Sequence, residues 1–183
     1  MEGIILKTSL EIEFKTFITE DKYNELLSKL KQEDNILIQT NHYFDDTLGT
    51  LESEKKVLRI RQKGDQYKLT KKSKSADGNI ENHIYLTKDE ALDMLKNGFD
   101  ASIINEPINV KKVAELTTYR TKLQYKSGYV FLDKSIYNNK TDYELEYEAD
   151  NKLIGQKEFK EILSEFNITF NPSYSKFKRA LGK

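Results

Sequence analysis

The chain has no cysteine, only two histidines, and no excess of either charge among its 183 residues. Without cysteine there is no disulfide, no thiolate zinc site and no cysteine nucleophile. His42 and His83 do not make a histidine-rich metal site. The 30 Lys and Arg balance the 30 Asp and Glu, which argues against a general nucleic-acid binder while leaving room for a local basic site. No run of ~18 apolar residues exists to span a membrane. Met1 to Lys7 contains Gly3-Ile4-Ile5-Leu6, too short and too poorly flanked for a secretory signal. The expectations are a cytoplasmic location, no membrane partner and no general nucleic-acid partner. There is no long Pro/Gly/Ser linker, low-complexity tract or internal repeat. The length fits one domain over 1–183, with Met1–Thr8 as a loose leader. Apolar residues make up 37%, enough for a core in a markedly polar chain.

What is present is alternation. In Leu10-Glu11-Ile12-Glu13-Phe14-Lys15, Ile12 and Phe14 share one strand face and Glu11, Glu13 and Lys15 the other. Two carboxylates and an ammonium, each about 7 Å from the next, can grip a hard divalent cation and an anion together. The plain alternative is the solvated face of an antiparallel sheet.

Further along, Thr19 caps a helix whose buried stripe is Tyr23, Leu26, Leu27 and Leu30. A strand follows from Ile36 to Phe44, then a loop from Asp45 to Lys56 with one helical turn. In Val57 to Lys63, Leu58 and Ile60 oppose Arg59, Arg61 and Lys63. Gly64-Asp65 turns the chain into Gln66 to Lys72, where Tyr67 and Leu69 oppose Lys68, Thr70 and Lys72. Lys71 falls where an apolar residue is expected, which puts the local register in question. Asn79 to Leu86 places Glu81 and His83 on one side, His83 reading as a hydrogen-bonding wall residue. Thr87 and Glu90 form a capping box ahead of a helix with Leu92 and Leu95 inward, ended by Asn97-Gly98. Phe99 to Lys112 gives no clear pattern. Leu116 to Gln124 carries Arg120 and Lys122 on one face. Ser127-Gly128 makes a hairpin into a strand with Phe131, Asp133 and Ser135 on one face. Asp142 to Glu148 then sets Tyr143, Leu145 and Tyr147 against Glu144, Glu146 and Glu148. Phe159, Ile162, Leu163 and Phe166 mark a helix, and Pro172 opens a short last helix carrying Lys176, Lys178 and Arg179.

About eight strands with three or four helices make an α+β domain dominated by antiparallel sheet. On an ordinary wet face, acid and base mix so that cross-strand pairs neutralise locally. Here the signs are sorted by strand: Glu11/Glu13 and Glu144/Glu146/Glu148 are acidic, Arg59/Arg61, Lys68/Lys72 and Arg120/Lys122 basic. The repulsion among neighbouring carboxylates calls for a compensating divalent cation, and the facing rows of Arg and Lys would hold a polyanion. A closed eight-stranded barrel with a charged, wet interior and helices packed outside meets these conditions best. An open sheet with a charged concave face meets them less completely, and alternation alone does not decide between the two.

Glu11-Ile12-Glu13-Phe14-Lys15 resembles the N-terminal ExExK signature of the CYTH superfamily, the triphosphate tunnel metalloenzymes. Leu58-Arg59-Ile60-Arg61, Lys72, Glu81, Arg120, Asp133 and Glu144-Leu145-Glu146 follow in the order that family requires, from Leu10 to Leu181. Thr40 to Asp45 is also similar to the short, single-domain bacterial members. The resemblance implies an eight-stranded antiparallel tunnel and Mg2+ or Mn2+ on Glu11, Glu13, Asp133, Glu144 and Glu146. It implies a triphosphate held by Lys15, Arg59, Arg61, Lys72, Arg120 and Lys176, with Glu81 lining the tunnel. Lys15, Glu81 and Arg61 would take part in the chemistry. Lys122 either joins the anion site or is a solvated lysine at the tunnel mouth, and Glu148 lies beyond the metal. The expected activity is metal-dependent hydrolysis of inorganic triphosphate or a small organic triphosphate such as thiamine triphosphate. Closure of ATP to cyclic AMP is the runner-up, and a non-catalytic polyphosphate- or nucleotide-binding module is the alternative from another class. The expected partners are a triphosphate-containing small molecule and a second copy of the chain in a homodimer.

Overall fold

The computed structural model describes residues 6–183. The strands, in chain order, are β1 Lys7–Ile18, β2 Leu37–Asp45, β3 Val57–Lys63, β4 Gln66–Lys74, β5 Asn79–Leu86, β6 Phe99–Asp100, β7 Asn109–Tyr125, β8 Gly128–Tyr137 and β9 Lys140–Ala149. The helices are α1 Glu20–Lys29, α2 Thr50–Ser53, α3 Lys88–Asn97, α4 Lys152–Glu165 and α5 Lys176–Ala180. Eight strands hydrogen-bond in the order β2-β3-β4-β5-β1-β9-β8-β7, and β7 returns to β2 with Leu37 opposite Arg120 and Asp45 opposite Lys111. All these pairings are antiparallel. The sheet therefore closes into the expected barrel and leaves no free edge. The two-residue β6 is an outlying ribbon on β7. Residues 1–5 of the expected leader lie outside the described residues, and Lys7 and Thr8 already belong to β1.

Alternation along each strand sends apolar residues outward, where helices cover them. Against α1 and α4, the outward Val130, Leu132, Tyr143, Leu145 and Tyr147 pack with Tyr23, Leu26, Phe159, Ile162 and Phe166. Each fully buried side chain of this kind contributes roughly 1.5–3 kcal/mol. Thr19 caps α1 by accepting from the Lys22 N–H, and Glu20 and Asp21 sit in the first turn where the helix dipole favours them. Around α3, Phe44, Leu58, Ile60, Leu69 and Ile84 pack with Ala91 and Ile104.

Three local expectations change. The buried stripe of α3 is Ala91, with Met94 and Leu95 packed beside it, while Leu92 is exposed. Leu92 sits one residue, about 100° of helix, off the Ala91–Met94–Leu95 line. The last helix begins at Lys176 rather than at Pro172, with Ser175 as its cap. Residues 171–175 form neither helix nor strand, and Asn171 is pinned to β1: its N–H donates to Thr16 Oγ1 at 2.8 Å, and its carbonyl accepts from the Phe17 N–H at 2.8 Å. The register around Lys71 is regular, with Leu58 opposite Lys71 and Val57 opposite Lys72. Lys71 points outward and is buried because Glu106 meets it at 2.9 Å and the Asn105 carbonyl at 3.3 Å. Those partners come from the stretch that showed no pattern, which forms β6, a 3-10 turn over Ala101–Ile104 and the start of β7. Gly98 makes this turn possible: its φ is +78°, and a Cβ there would stand 2.3 Å from the Val110 carbonyl oxygen.

At the end of the barrel where β2 and β8 finish and β3 and β7 begin, α5 sits inside. Phe177 and Ala180 bury against the inward Tyr43 and Leu116, with the Tyr43 and Phe177 rings 5.1 Å apart. This apolar plug narrows one mouth and carries two cations into the barrel.

Candidate functional site

Inside the barrel the charges are divided between walls. The acidic wall is β1, β8 and β9, where Glu13 stands opposite Glu148 and Asp133 opposite Glu144. The basic wall is β3 and β4, where Arg61 stands opposite Lys68. A cavity of about 1300 Å³ runs between them, lined by Glu11, Glu13, Lys15, Arg59, Arg61, Lys72, Arg120, Glu146 and Lys176 among others.

One part of this interior is closed in charge. Asp133, Glu144 and Glu146 are buried, with one carboxylate oxygen from each inside a 4.8 Å cluster. Lys176 reaches all three, at 2.8, 2.8 and 2.5 Å. Arg120 donates to both Asp133 oxygens at 2.7 and 2.5 Å and also binds Glu146. Arg179 pairs with Glu144 and Asp142. Burial works against the Glu146 carboxylate, but Lys176 and Arg120 outweigh it and hold its pKa well below the usual range. Burial likewise opposes Lys176 and Arg120, and Asp133 and Glu146 raise both above their ordinary values.

The rest is open in charge. Half-buried Arg61 has as its one side-chain hydrogen-bond partner among the described residues the neutral Asn41, at 3.1 Å. Burial, then the neighbouring Arg59 and Arg120, bring its pKa down to about 9. Lys68 is lowered by burial and by Arg61. Arg59 meets Glu81 at 3.4 Å. Lys72 bridges Glu11 and Glu13, the latter at 3.4 Å, and lies 3.8 Å from Glu81. Lys15 lies 3.2 Å from Glu13. Burial pushes Glu13 up, but Lys72 and Lys15 more than reverse this and hold it at about 2. Glu148 is pushed up to about 7 by burial and by Glu11, and Glu11 is raised by burial and by Glu13.

Of the residues nominated from sequence, Glu11, Glu13, Lys15, Arg59, Arg61, Lys72 and Glu81 meet in the open part, and Asp133, Glu144, Glu146, Arg120 and Lys176 in the closed part. Lys122 stands apart: it is exposed, with its ammonium 3.9 Å from the Tyr129 ring centre. His83 is a half-buried wall residue with its ring edge-on to Tyr85 at 5.9 Å, but it does not hydrogen-bond as expected: its Nδ1 is buried with no partner among the described residues. Four contributors were not nominated: Asn41, Lys68, Glu148 and Arg179. Strand parity already put Lys68 and Glu148 on the inner face. Nothing local marked Asn41, and Arg179 depended on α5 turning into the barrel.

The interior fits a hard divalent cation. Its donors are all carboxylates, burial and neighbouring carboxylates raise the pKa of both Glu11 and Glu148, and Glu144 Oε1 is buried with no hydrogen-bond partner among the described residues.

Fold and interior together define a class, the closed antiparallel barrel with oppositely charged inner walls. The chain belongs to the CYTH family, whose domain model matches residues 9–181. Across 95% of both chains it is 30% identical to YjbK of Bacillus subtilis (strain 168), which is provisionally named a triphosphatase. Among solved structures it is similar to a provisionally named adenylate cyclase from Bacillus halodurans, at 31% identity and TM-score 0.86, over 94% of this chain and 97% of that one. A Hippeastrum protein, whose structure is described as an adenylyl cyclase candidate with dominant triphosphatase activity, shares the fold at 20% identity and TM-score 0.72, over 92% and 94% of the two chains. No helix among the described residues is long and apolar enough to cross a membrane.

Proposed function

We propose that the barrel binds a triphosphate and hydrolyses it with a divalent cation, Mg2+ or Mn2+, in the cytoplasm. The observation that carries this reading is Arg61, a half-buried guanidinium with no carboxylate partner among the described residues, set beside Arg59 and Lys68 and across from Glu11, Glu13 and Glu148. Unpaired buried charge is costly unless a ligand completes it. Arginine offers planar, permanently charged, bidentate donors that suit phosphate.

Arg59, Arg61, Lys68 and Lys72 hold the non-transferred phosphates and stabilise charge that develops during transfer. Lys15, beside Glu13, helps to orient the attacking water. Glu81 holds Arg59 and Lys72 in place from the opposite strand. Arg120 and Lys176 keep the acidic wall together and add positive potential at its border. Glu11, Glu13 and Glu146, with Glu148, would hold the cation, while Asp133 and Glu144 chiefly anchor α5. When bound, that cation neutralises phosphate oxygens and lowers the barrier to displacement.

The triphosphatase name of the Bacillus subtilis relative favours hydrolysis. The cyclase name of the Bacillus halodurans neighbour makes closure of ATP to cyclic AMP the second reading. A phosphate-release screen with inorganic triphosphate, thiamine triphosphate, ATP and GTP, in Mg2+ and in Mn2+, separates them. Hydrolysis gives orthophosphate from at least one substrate, and cyclisation gives pyrophosphate and cyclic AMP from ATP alone. Tight triphosphate binding in Ca2+ with no product in Mg2+ or Mn2+ would replace both readings with a binding module.

A further inference from the structure

One side chain of the inner wall is neither apolar nor charged and yet sits among the charges. Asn41 is 1% exposed and lines the cavity, opposite Arg61 on β3 and opposite Leu116 on β7. Its Oδ1 accepts from Arg61 Nε at 3.1 Å. A guanidinium only donates, so the amide oxygen must face it and the amide nitrogen must turn away. That nitrogen, Nδ2, is buried with no hydrogen-bond partner among the described residues. It can bond only to an acceptor, and the Leu116 side chain on its other flank offers none. A buried donor left unpaired carries its full desolvation cost, and a ligand oxygen in the cavity would relieve it.

The neutrality of this side chain also decides the state of its partner. Arg59, Lys72, Arg120 and Lys176 each meet at least one carboxylate, whereas Arg61 meets an amide. A carboxylate of the same shape in place of the amide would pair with Arg61 and close this part of the wall as the α5 corner is closed. The amide instead steadies the guanidinium through Nε alone. The two terminal nitrogens make no hydrogen bond among the described residues, and they remain available for bidentate contact with an anion.

We propose that Asn41 is a further anion-binding residue: its Nδ2 donates to a phosphate oxygen beside those held by Arg61, and its lack of charge leaves the Arg61 charge to the ligand. This rests on the triphosphate reading above. It adds a neutral donor to that site and a reason why the basic wall is not filled by the protein's own carboxylates.

The test is calorimetric binding of inorganic triphosphate in Ca2+ to the wild type, Asn41→Ala and Asn41→Asp, with urea denaturation of each protein without ligand. In Asn41→Ala the donor is gone, and affinity falls roughly 10- to 150-fold, as for one hydrogen bond to a charged group. Asn41→Asp keeps the shape, neutralises Arg61 and turns a like charge toward the phosphate. Its affinity falls at least about tenfold further, while its urea midpoint holds or rises because Arg61 gains a partner. Unchanged affinity in Asn41→Ala would overturn the proposal, as would an Asn41→Asp that binds no more weakly than Asn41→Ala. A lowered urea midpoint in Asn41→Asp alongside its lost affinity would also overturn it, by making Asn41 a packing residue. A wild type that binds no inorganic triphosphate would overturn the triphosphate reading and this proposal together. A wild type that binds, with variants that bind equally well, removes this proposal alone.

Discussion

Two parts of one cavity hold the same residue types and differ in how their charges end. Around Asp133, Glu144 and Glu146, each carboxylate meets Arg120, Lys176 or Arg179, with only single atoms such as Glu144 Oε1 left without a partner among the described residues. A short way off, Arg61 meets only Asn41, and Glu148 makes no ion pair among the described residues. The first part is largely paired without a ligand and serves to seat α5, with Glu146 at its border lining the cavity. The second becomes complete only when an anion reaches the basic wall and a cation the acidic one. Counting charged residues would have ranked the closed part higher as a site, whereas asking which charges lack partners points to the open part.

The largest expected effect comes from breaking the closed part. Arg120→Met leaves Asp133 and Glu146 buried with one partner fewer, and removing one member of a buried ion pair costs about 3–5 kcal/mol. Urea denaturation should show that loss. Stability within about 0.5 kcal/mol of wild type, the range of an ordinary surface change, would mean that this corner is not the anchor described.

The matching change in the open part should separate activity from stability. Arg61→Met removes a half-buried charge that has no carboxylate partner among the described residues, so stability without ligand should hold or rise. Phosphate release should fall by roughly 10²–10³ in kcat, as for loss of one preorganised group that stabilises developing charge. A destabilised but fully active variant would reverse the contrast.

Much of this was legible in the sequence because closure and sidedness follow from a period of two. Leu58 and Ile60 against Arg59 and Arg61, or Tyr143 and Leu145 against Glu144 and Glu146, fix which residues face in once one face is buried. What was not legible depended on contacts between distant segments. Lys71 looked out of register because its partner, Glu106, lies in a stretch with no periodicity of its own. Leu92 looked inward because three apolar residues within one helical turn leave the stripe ambiguous. Arg179 and the position of α5 depended on Phe177 finding Tyr43 inside the barrel. Pairing against absence of pairing, the distinction that matters most here, requires side-chain geometry and has no signature in spacing.

Outside the barrel, Lys71 and Glu106 form a third charged group, closed like the α5 corner but smaller. Burial works against ionised Glu106, yet hydrogen bonds from Lys71 and Lys56 lower its pKa below the ordinary 4.5. A lowered carboxylate pKa contributes stability above the unfolded value and loses it as pH falls through the folded one. Glu106→Gln should therefore cost about 1.5–3 kcal/mol near neutrality, as for hydrogen bonds to a charged group. The gap to wild type should close as pH drops below 4.5. Denaturation curves at several pH values check this, and a gap independent of pH would assign the effect to packing.

The smallest effect belongs to Lys122, which lies over Tyr129 and away from both parts. Lys122→Ala should leave inorganic triphosphate affinity within about twofold, as for other surface changes. A tenfold loss measured by calorimetry would bring Lys122 into the anion site.

The claim that Arg61 marks where the anion sits is tested most directly by thermal unfolding with inorganic triphosphate and no metal. A ligand that binds only the folded state stabilises it by about 2.7 kcal/mol at one hundred times its Kd. Tm of the wild type should climb steadily with triphosphate and that of Arg61→Met should stay nearly flat over the same range. Equal rises in both proteins would contradict it.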